Sequence, residues 1–218
     1  MKPQYVIQTT ADGSHTIYLP QLDEHYHSIK GAITESCHIY RDCALRHRAQ
    51  QGFDRPLRLL EVGFGTGLNA AVSAEYSDIP IHYISFELYP LSPDISQRLG
   101  YDRPLIEAVN HAAWDTPVNI TDTFILEKRQ ADFLTADLPC DIDIVYYDAF
   151  APEKQPDLWR METLRRTVEA MASGGVLTTY CAKGSIRRML SALGLYVERL
   201  PGPPGGKREI LRATKIAK

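Results

Sequence analysis

The chain has 218 residues, 44% of them hydrophobic and 23% charged, with a formal charge of −3. That length builds one large core, or a core with a small appendage, and the apolar fraction excludes a disordered polymer. No stretch approaches the ~18 apolar residues of a membrane-spanning helix. The opening Met1-Lys2-Pro3-Gln4 has no apolar run behind its lysine, so a secretory signal is not expected.

Cys37, Cys43, Cys140 and Cys181 lack C-x-x-C spacing and read as reduced thiols of a cytoplasmic protein. The histidines form no H-E-x-x-H pattern, and His25 and His27 on one face of an extended segment are too few for a site, so no metal is expected. Residues 1–150 carry 11 Lys/Arg against 21 Asp/Glu, and residues 151–218 carry 13 against 6. A basic final third beside an acidic remainder suits a polyanion docking on one side. The alternative is a solvated surface whose charges mix on folding.

In chain order, strands are expected over 5–9 and 15–19, joined by a turn around Asp12-Gly13. Ile33, Cys37, Tyr40 and Ala44 then lie at helical spacing, giving a helix over 32–50 with Gly52 as its stop. Leu57 to Val62 is a strand running into Gly63-Phe64-Gly65-Thr66-Gly67, followed by a helix to Tyr76 and a strand over 81–86. Strand, glycine turn, helix, strand opens a doubly wound α/β domain. Residues 90–118 read as broken helix, with Pro117 ending it. Strands follow over 124–128, 142–147 and 175–180, with helices over 156–171 and 185–193. Two last strands, 196–200 and 208–213, flank Pro201-Gly202-Pro203-Pro204-Gly205-Gly206. The division expected is an N-terminal extension, 1–55, packed on a Rossmann-like domain, 56–218.

Gly63, Gly65 and Gly67 let a ligand approach the backbone at the start of a helix. Their spacing is not the dinucleotide G-x-G-x-x-G, and no P-loop lysine follows. Glu61 ends the first strand, where it can bind an ammonium group directly or through water. Glu87 ends the second, where a carboxylate can accept both ribose hydroxyls. Together they favour S-adenosylmethionine, a cationic cofactor, over a pyrophosphate. Asp132 follows the third main strand and can accept the adenine amino hydrogen, or be an ordinary surface acid. Asp148 ends the strand neighbouring the first and faces the same crevice; buried acid there needs a cation. Trp159 can wall the pocket, although a lone Trp is more often core.

These segments, with Asp12 to Thr16, Glu24 to Ser28, Gly31-Ala32, Thr34 to Ser36, Pro156 to Trp159, Thr179 to Gly184, Arg187 to Leu190 and Gly206 to Leu211, resemble a known family. It is the bacterial tRNA 5-(aminomethyl)-2-thiouridine methyltransferase family, in the stand-alone form of the methyltransferase half of the bifunctional MnmC protein. The resemblance implies an α/β fold of class I S-adenosylmethionine-dependent methyltransferases: a seven-stranded, mostly parallel, doubly wound sheet whose last strand is antiparallel, with an N-terminal hairpin and helix extension. It implies methyl transfer to the amine of 5-aminomethyl-2-thiouridine at the tRNA wobble position. Tyr26, His27, Glu35 and Asn69 are then expected in the cofactor pocket, and Asp148 faces the reacting amine.

An FAD oxidase domain has no room in this length, so the aminomethyl nucleoside is expected ready-made. Tyr147 stands where fused relatives carry an aliphatic residue, and only local repacking is expected from it. Lys183, Arg187, Arg188, Lys207 and Arg208 are expected to meet RNA. Adjacent members of each pair point apart on a helix or strand. The net negative charge suits a small footprint on an anticodon arm; a monomer and no membrane partner are expected. A methyltransferase of small amines or proteins, or a non-catalytic RNA-binding module, remain the alternatives.

Overall fold

The computed structural model describes residues 4–76 and 79–216; the reading of Met1 to Pro3 lies outside them. An N-terminal sheet is built from β1 (Val6–Thr9), β2 (His15–Leu19) and β3 (Glu24–His25) in that order. The expected hairpin pairs Val6 with Tyr18 and Thr9 with His15. Its turn is tied by Asp12, which accepts from Thr10 Oγ1, Ser14 N and Thr34 N. The last of these bonds also anchors the first turn of the next helix. Five bonds of Asp12 in all hold its carboxyl well below the usual carboxylate range, although burial alone opposes that shift.

Helix α1 is continuous but not uniform. Ala32–Glu35 leads into a π-wound stretch, Ser36–Arg46, and closes with His47–Ala49. After Ala32 its buried residues are Glu35 and Ser36, then Ile39 and Tyr40, then Ala44 and Leu45. Pairs four to five residues apart suit the wider π turn. The expected stripe therefore shifts: Ile33 and Cys37 are only half-buried, while Tyr40 points fully inward.

The main sheet holds β4 (Leu57–Val62), β5 (Ile81–Phe86), β6 (Pro117–Thr121), β7 (Phe124–Arg129), β8 (Ile142–Tyr147), β9 (Met171–Thr179), β10 (Leu195–Pro201) and β11 (Glu209–Lys215). Their order is β10-β11-β9-β8-β4-β5-β7-β6. Strands β4, β5, β7, β8 and β9 run parallel, and β11 is antiparallel to β9 and β10. Seven strands thus follow the expected doubly wound plan, and an eighth, β6, is added antiparallel at the edge. Pro117 opens this strand rather than ending a helix. A first-position proline on an edge strand leaves no ladder bond unmade.

Between the strands lie α2 (Leu68–Tyr76), α3 (Pro93–Leu99), α4 (Ile106–His111), α5 (Met161–Ala170) and α6 (Gly184–Ala192). The single helix expected over 156–171 is interrupted. Pro156–Trp159 forms one 3₁₀ turn, Arg160 is extended, and α5 starts afresh. Every residue of β8 is buried, as a central parallel strand requires. Leu57, Leu59 and Tyr146 pack with α1 and α2, together with Ile17 and Leu19 of the hairpin. Leu60, Val62 and Tyr147 pack on the other face with α5 and α6. Tyr147 donates its hydroxyl to Leu158 O, a local accommodation of the ring.

Asp143 fixes the far end of β8. Its carboxylate accepts from Arg48 Nη2 at 3.2 Å, Arg55 Nη1 at 2.7 Å and Arg58 N at 2.9 Å, tying the end of α1 to the sheet. Asp143→Ala leaves two guanidinium groups without their shared acceptor and is expected to lower the stability by about 3 kcal/mol, read from the urea midpoint.

Candidate active site

The parallel register builds the site. Val62 pairs with Phe86 on one side and Tyr147 on the other, so the next residues, Gly63, Glu87 and Asp148, stand in one row. Tyr146 pairs with Thr178, which sets Tyr180 level with Asp148. Strand β4 lies between β5 and β8, where the winding reverses direction, and a doubly wound sheet opens its ligand crevice there.

A cavity of about 580 Å³ covers this row. Gly63 and Gly65 form part of its lining. Gly65, at φ +53°, donates its N–H to Glu87 Oε2 at 3.1 Å. A Cβ at Gly65 would meet the Tyr26 ring at 3.1 Å. Glu87 Oε1 accepts from Tyr89 N, so the carboxylate is oriented by backbone at both oxygens. Asp132 lines the same cavity, and its Oδ1 caps the following turn through Leu134 N at 2.9 Å. Apolar walls come from Val62, Phe86, Phe133 and Ala149. Gly67 is not part of the lining; it packs beneath, where a Cβ would meet Asn110 Oδ1 at 2.8 Å.

Asp148 is reached from two sides. Tyr40 donates to Oδ1, and Asn69 Nδ2 donates to Oδ2 at 2.7 Å. Burial pushes the carboxyl up to about 6, opposed by those two bonds and by Lys207. Glu61 stands one step deeper. It is fully buried, accepts from Ser85 Oγ at 2.7 Å, and has an unpartnered Oε1. It does not line the cavity, which corrects the expectation of a direct contact there. Burial pushes this carboxyl up to about 8.

The strap after β3 closes the cavity. Tyr26 packs edge-on against Phe150, with centroids 5.2 Å apart. His27 joins its backbone to Thr16 and its Nε2 to Thr66 Oγ1 at 2.7 Å. Burial lowers its pKa to about 4, so the neutral ring pins the strap to the glycine turn. Beside the strap a second cleft of about 230 Å³ reaches Asp148, lined also by Glu35, Tyr180 and Lys207. Glu35 belongs to this cleft and not to the larger cavity.

The other expected residues separate. Trp159 is 3% exposed and donates Nε1 to Phe150 O at 2.8 Å; it is core, packed on Tyr147, and not a platform for substrate. Lys183 pairs with Glu153 at the surface. Arg187, Arg188 and Arg208 line neither cavity. Lys207 alone of that set lines a cleft, its Nζ 3.6 Å from the Tyr180 ring centroid.

Sequence reasoning missed Tyr40, Tyr180 and Lys128. Lys128 Nζ donates to Val109 O and Asn110 O and lies 5.0 Å from the Phe64 ring and 4.8 Å from that of Trp114. It props the glycine turn from below, and burial lowers its pKa to about 8. Its place in the alternation Phe124, Leu126, Lys128 along one face of the strand was the available signal. Among the described residues no cluster could hold a metal ion, and no helix is long and apolar enough to cross a membrane. The four cysteines are free.

Comparison with known proteins gives this geometry a context. A family model described as S-adenosyl-L-methionine-dependent methyltransferase matches residues 124–216. The tRNA 5-methylaminomethyl-2-thiouridine biosynthesis bifunctional protein MnmC of Ralstonia nicotianae is 30% identical over 228 residues, covering 95% of this chain and 34% of that protein. For MnmC of Pseudomonas fluorescens the figures are 29%, 87% and 32%. The chain thus spans about a third of the length of the curated relatives it matches. MNMC2 from Aquifex aeolicus superposes with a TM-score of 0.80 at 27% identity, covering all of this chain and 72% of that one. A spermidine synthase shares the fold at a TM-score of 0.64 and 16% identity.

Fold and site together define a class I S-adenosyl-L-methionine-dependent methyltransferase. Within that class the chain is similar to the MnmC proteins over nearly its whole length. The larger cavity suits the cofactor on its own terms: a glycine floor open to close approach, apolar walls, and four carboxylates, Glu87, Asp132, Asp148 and Asp157, for a cationic group and its hydroxyls.

Glu61 gives a test of the buried acid. Its folded pKa lies near 8, above the unfolded value of ~4.3. Its contribution to stability is therefore full below that lower value and lost as pH rises toward 8. Glu61→Gln, neutral throughout, is expected to match the parent protein at pH 4 and to exceed it by roughly 2–4 kcal/mol at pH 8. Urea titrations at the two pH values check the sign.

Proposed function

We propose that the chain transfers a methyl group from S-adenosylmethionine to the amine of 5-aminomethyl-2-thiouridine at the wobble position of tRNA, giving 5-methylaminomethyl-2-thiouridine. The observation carrying this reading is the meeting of two clefts at one carboxylate: the glycine-floored cavity and the smaller cleft both reach Asp148. Such an arrangement brings a bound cofactor and an incoming amine to opposite sides of one group.

In this reading Gly63 and Gly65 offer backbone to the cofactor, Glu87 accepts the ribose hydroxyls, and Asp132 accepts the adenine amino hydrogen. Tyr26 and Asn69 close the walls, while His27 and Gly67 hold the loops in place. Glu61 stands beneath this floor, held mostly protonated at neutral pH by its burial. When bound, the cofactor supplies an electrophilic methyl group on a sulfonium. Asp148 orients the N–H groups so that the nitrogen lone pair faces that methyl group, a contribution of position.

The anticodon arm docks over the smaller cleft. The segment leaving Tyr180 carries Lys183 into α6, where Arg187 and Arg188 follow, and Arg208 lies beside Lys207 on the final hairpin. The −3 net charge suits a small footprint. The enzyme works as a cytoplasmic monomer on a nucleoside whose aminomethyl group is already made.

Incubation with cofactor and tRNA lacking only this methyl group is expected to add one methylene's mass to the wobble nucleoside, read by mass spectrometry of digested tRNA. Methylation of small amines or proteins in its place selects another N-methyltransferase, and tRNA binding without cofactor uptake selects a non-catalytic module. Asp148→Ala is expected to keep cofactor affinity within a few-fold while single-turnover methylation falls by about 100-fold.

The RNA surface has its own test. Arg188→Ala and Arg208→Ala are each expected to weaken tRNA binding and to reduce its salt slope by about 1, leaving cofactor binding unchanged. Filter binding across a salt series measures both.

A further inference from the structure

The proposed methylation needs a proton acceptor. An aliphatic amine in neutral water is protonated and has no lone pair to offer. Asp148 is engaged elsewhere: Oδ1 accepts from Tyr40 and Oδ2 from Asn69, and hydrogen bonds to a carboxylate favour its ionised form. Glu35 differs. It is 8% exposed and lines the smaller cleft beside Asp148. Its Oε1 accepts the Ser28 N–H at 3.1 Å, and among the described residues no hydrogen-bond donor is assigned to its other oxygen.

We propose that Glu35 takes the proton from the substrate amine, in the cleft where Asp148 orients the nitrogen. This rests on the reading that the chain methylates an amine. One N–H bond of the ammonium breaks, and the proton forms an O–H bond on Glu35. The electron pair left on nitrogen then makes the N–C bond while the C–S pair returns to sulfur. Glu35 recovers its charge by losing the proton to water at the open mouth of the cleft.

The surroundings suit a group that gains and loses a proton near neutrality. Burial, then the Asp148 carboxylate, raises the Glu35 carboxyl to about 7, while Lys207 and the Ser28 amide oppose the shift. The sheet contributes Asp148 and Tyr180 to its surroundings, and the final hairpin contributes Lys207. Glu24, His25, Tyr26 and His27 line the cleft from the strap, and Tyr40 follows along its own helix. Lys207 is the one cation among these with its charge centre over an aromatic ring. It keeps Glu35 from rising further, so the acid can be discharged between turnovers.

The test uses the full chain with cofactor and unmethylated tRNA. Glu35→Gln is expected to bind cofactor with the affinity of the parent by calorimetry and to lose about 100-fold in kcat at pH 7. The deficit should shrink to under about 10-fold by pH 10, where the amine loses its proton to solvent. In cofactor-free protein, a carboxyl band titrating near pH 7 in infrared difference spectra should vanish in Glu35→Gln.

Unchanged kcat, an equal loss at every pH, or a fall in cofactor affinity with full turnover at saturation each overturns the assignment; the last returns Glu35 to the cofactor pocket. A parent protein that binds cofactor yet methylates no amine overturns the underlying reading, and this assignment with it. Should the amide variant not fold, Glu35→Asp retracts the carboxylate by one methylene. It should then lower kcat at pH 7 while cofactor affinity holds, and full activity in that variant contradicts the proposal.

Discussion

Both oxygens of Asp148 are captured, one by the Tyr40 hydroxyl and one by the Asn69 amide, and that double bond pattern constrains three distant parts of the chain at once. Tyr40 comes from the N-terminal helix, Asn69 from the helix behind the glycine turn, and Asp148 from the end of β8. A carboxylate at this depth is costly unless donors meet it. The extension must therefore dock for the sheet edge to be satisfied, and Ile17, Leu19, Ile39 and Tyr40 accordingly share one core with Leu57 and Leu59. The N-terminal segment completes the site as well as covering it.

The π-wound stretch of α1 follows from the same demand. An ordinary helical pitch would turn Tyr40 away from the face of Glu35, and Ala44 away from that of Ile39. The wider turn aligns Glu35 with Tyr40 toward the sheet edge while Ile39, Ala44 and Leu45 remain in the core. Such winding is rare and concentrates at functional positions. Here it delivers an acid to one cleft and a hydroxyl to the carboxylate between both clefts.

This is also where the sequence was hardest to read. Strands β4, β5 and β8 were legible because buried parallel strands are short apolar runs punctuated by turns. Once their order was fixed, Gly63, Glu87 and Asp148 had to meet at one edge. The pitch of α1 was not legible: a stripe read at intervals of three and four selects Ile33 and Cys37 and assigns Tyr40 to ordinary packing. Edge strand β6 was hidden by Pro117, whose missing donor argues against a strand only where that donor must face a neighbour. Trp159 illustrates a different limit. Its proximity to Asp148 in the chain was real, but its indole turned beneath the loop to bond Phe150 O, and composition carries no sign of that rotation.

The uneven charge of the chain acquires a spatial meaning at the two clefts. Glu35, Glu87, Asp132 and Asp148 come from the acidic first 150 residues and line the two clefts, with Glu61 buried beneath. The basic final third supplies Lys183, Arg187, Arg188 and Arg208 outside both clefts; of its basic residues Lys154 and Lys207 reach the linings, with the acid Asp157 beside them. An interior rich in carboxylates attracts a sulfonium and an ammonium but repels the phosphates that carry a nucleic acid substrate. Lys207 stands at the boundary, with its stem on the basic hairpin and its ammonium against Tyr180, where it limits how negative the amine cleft becomes.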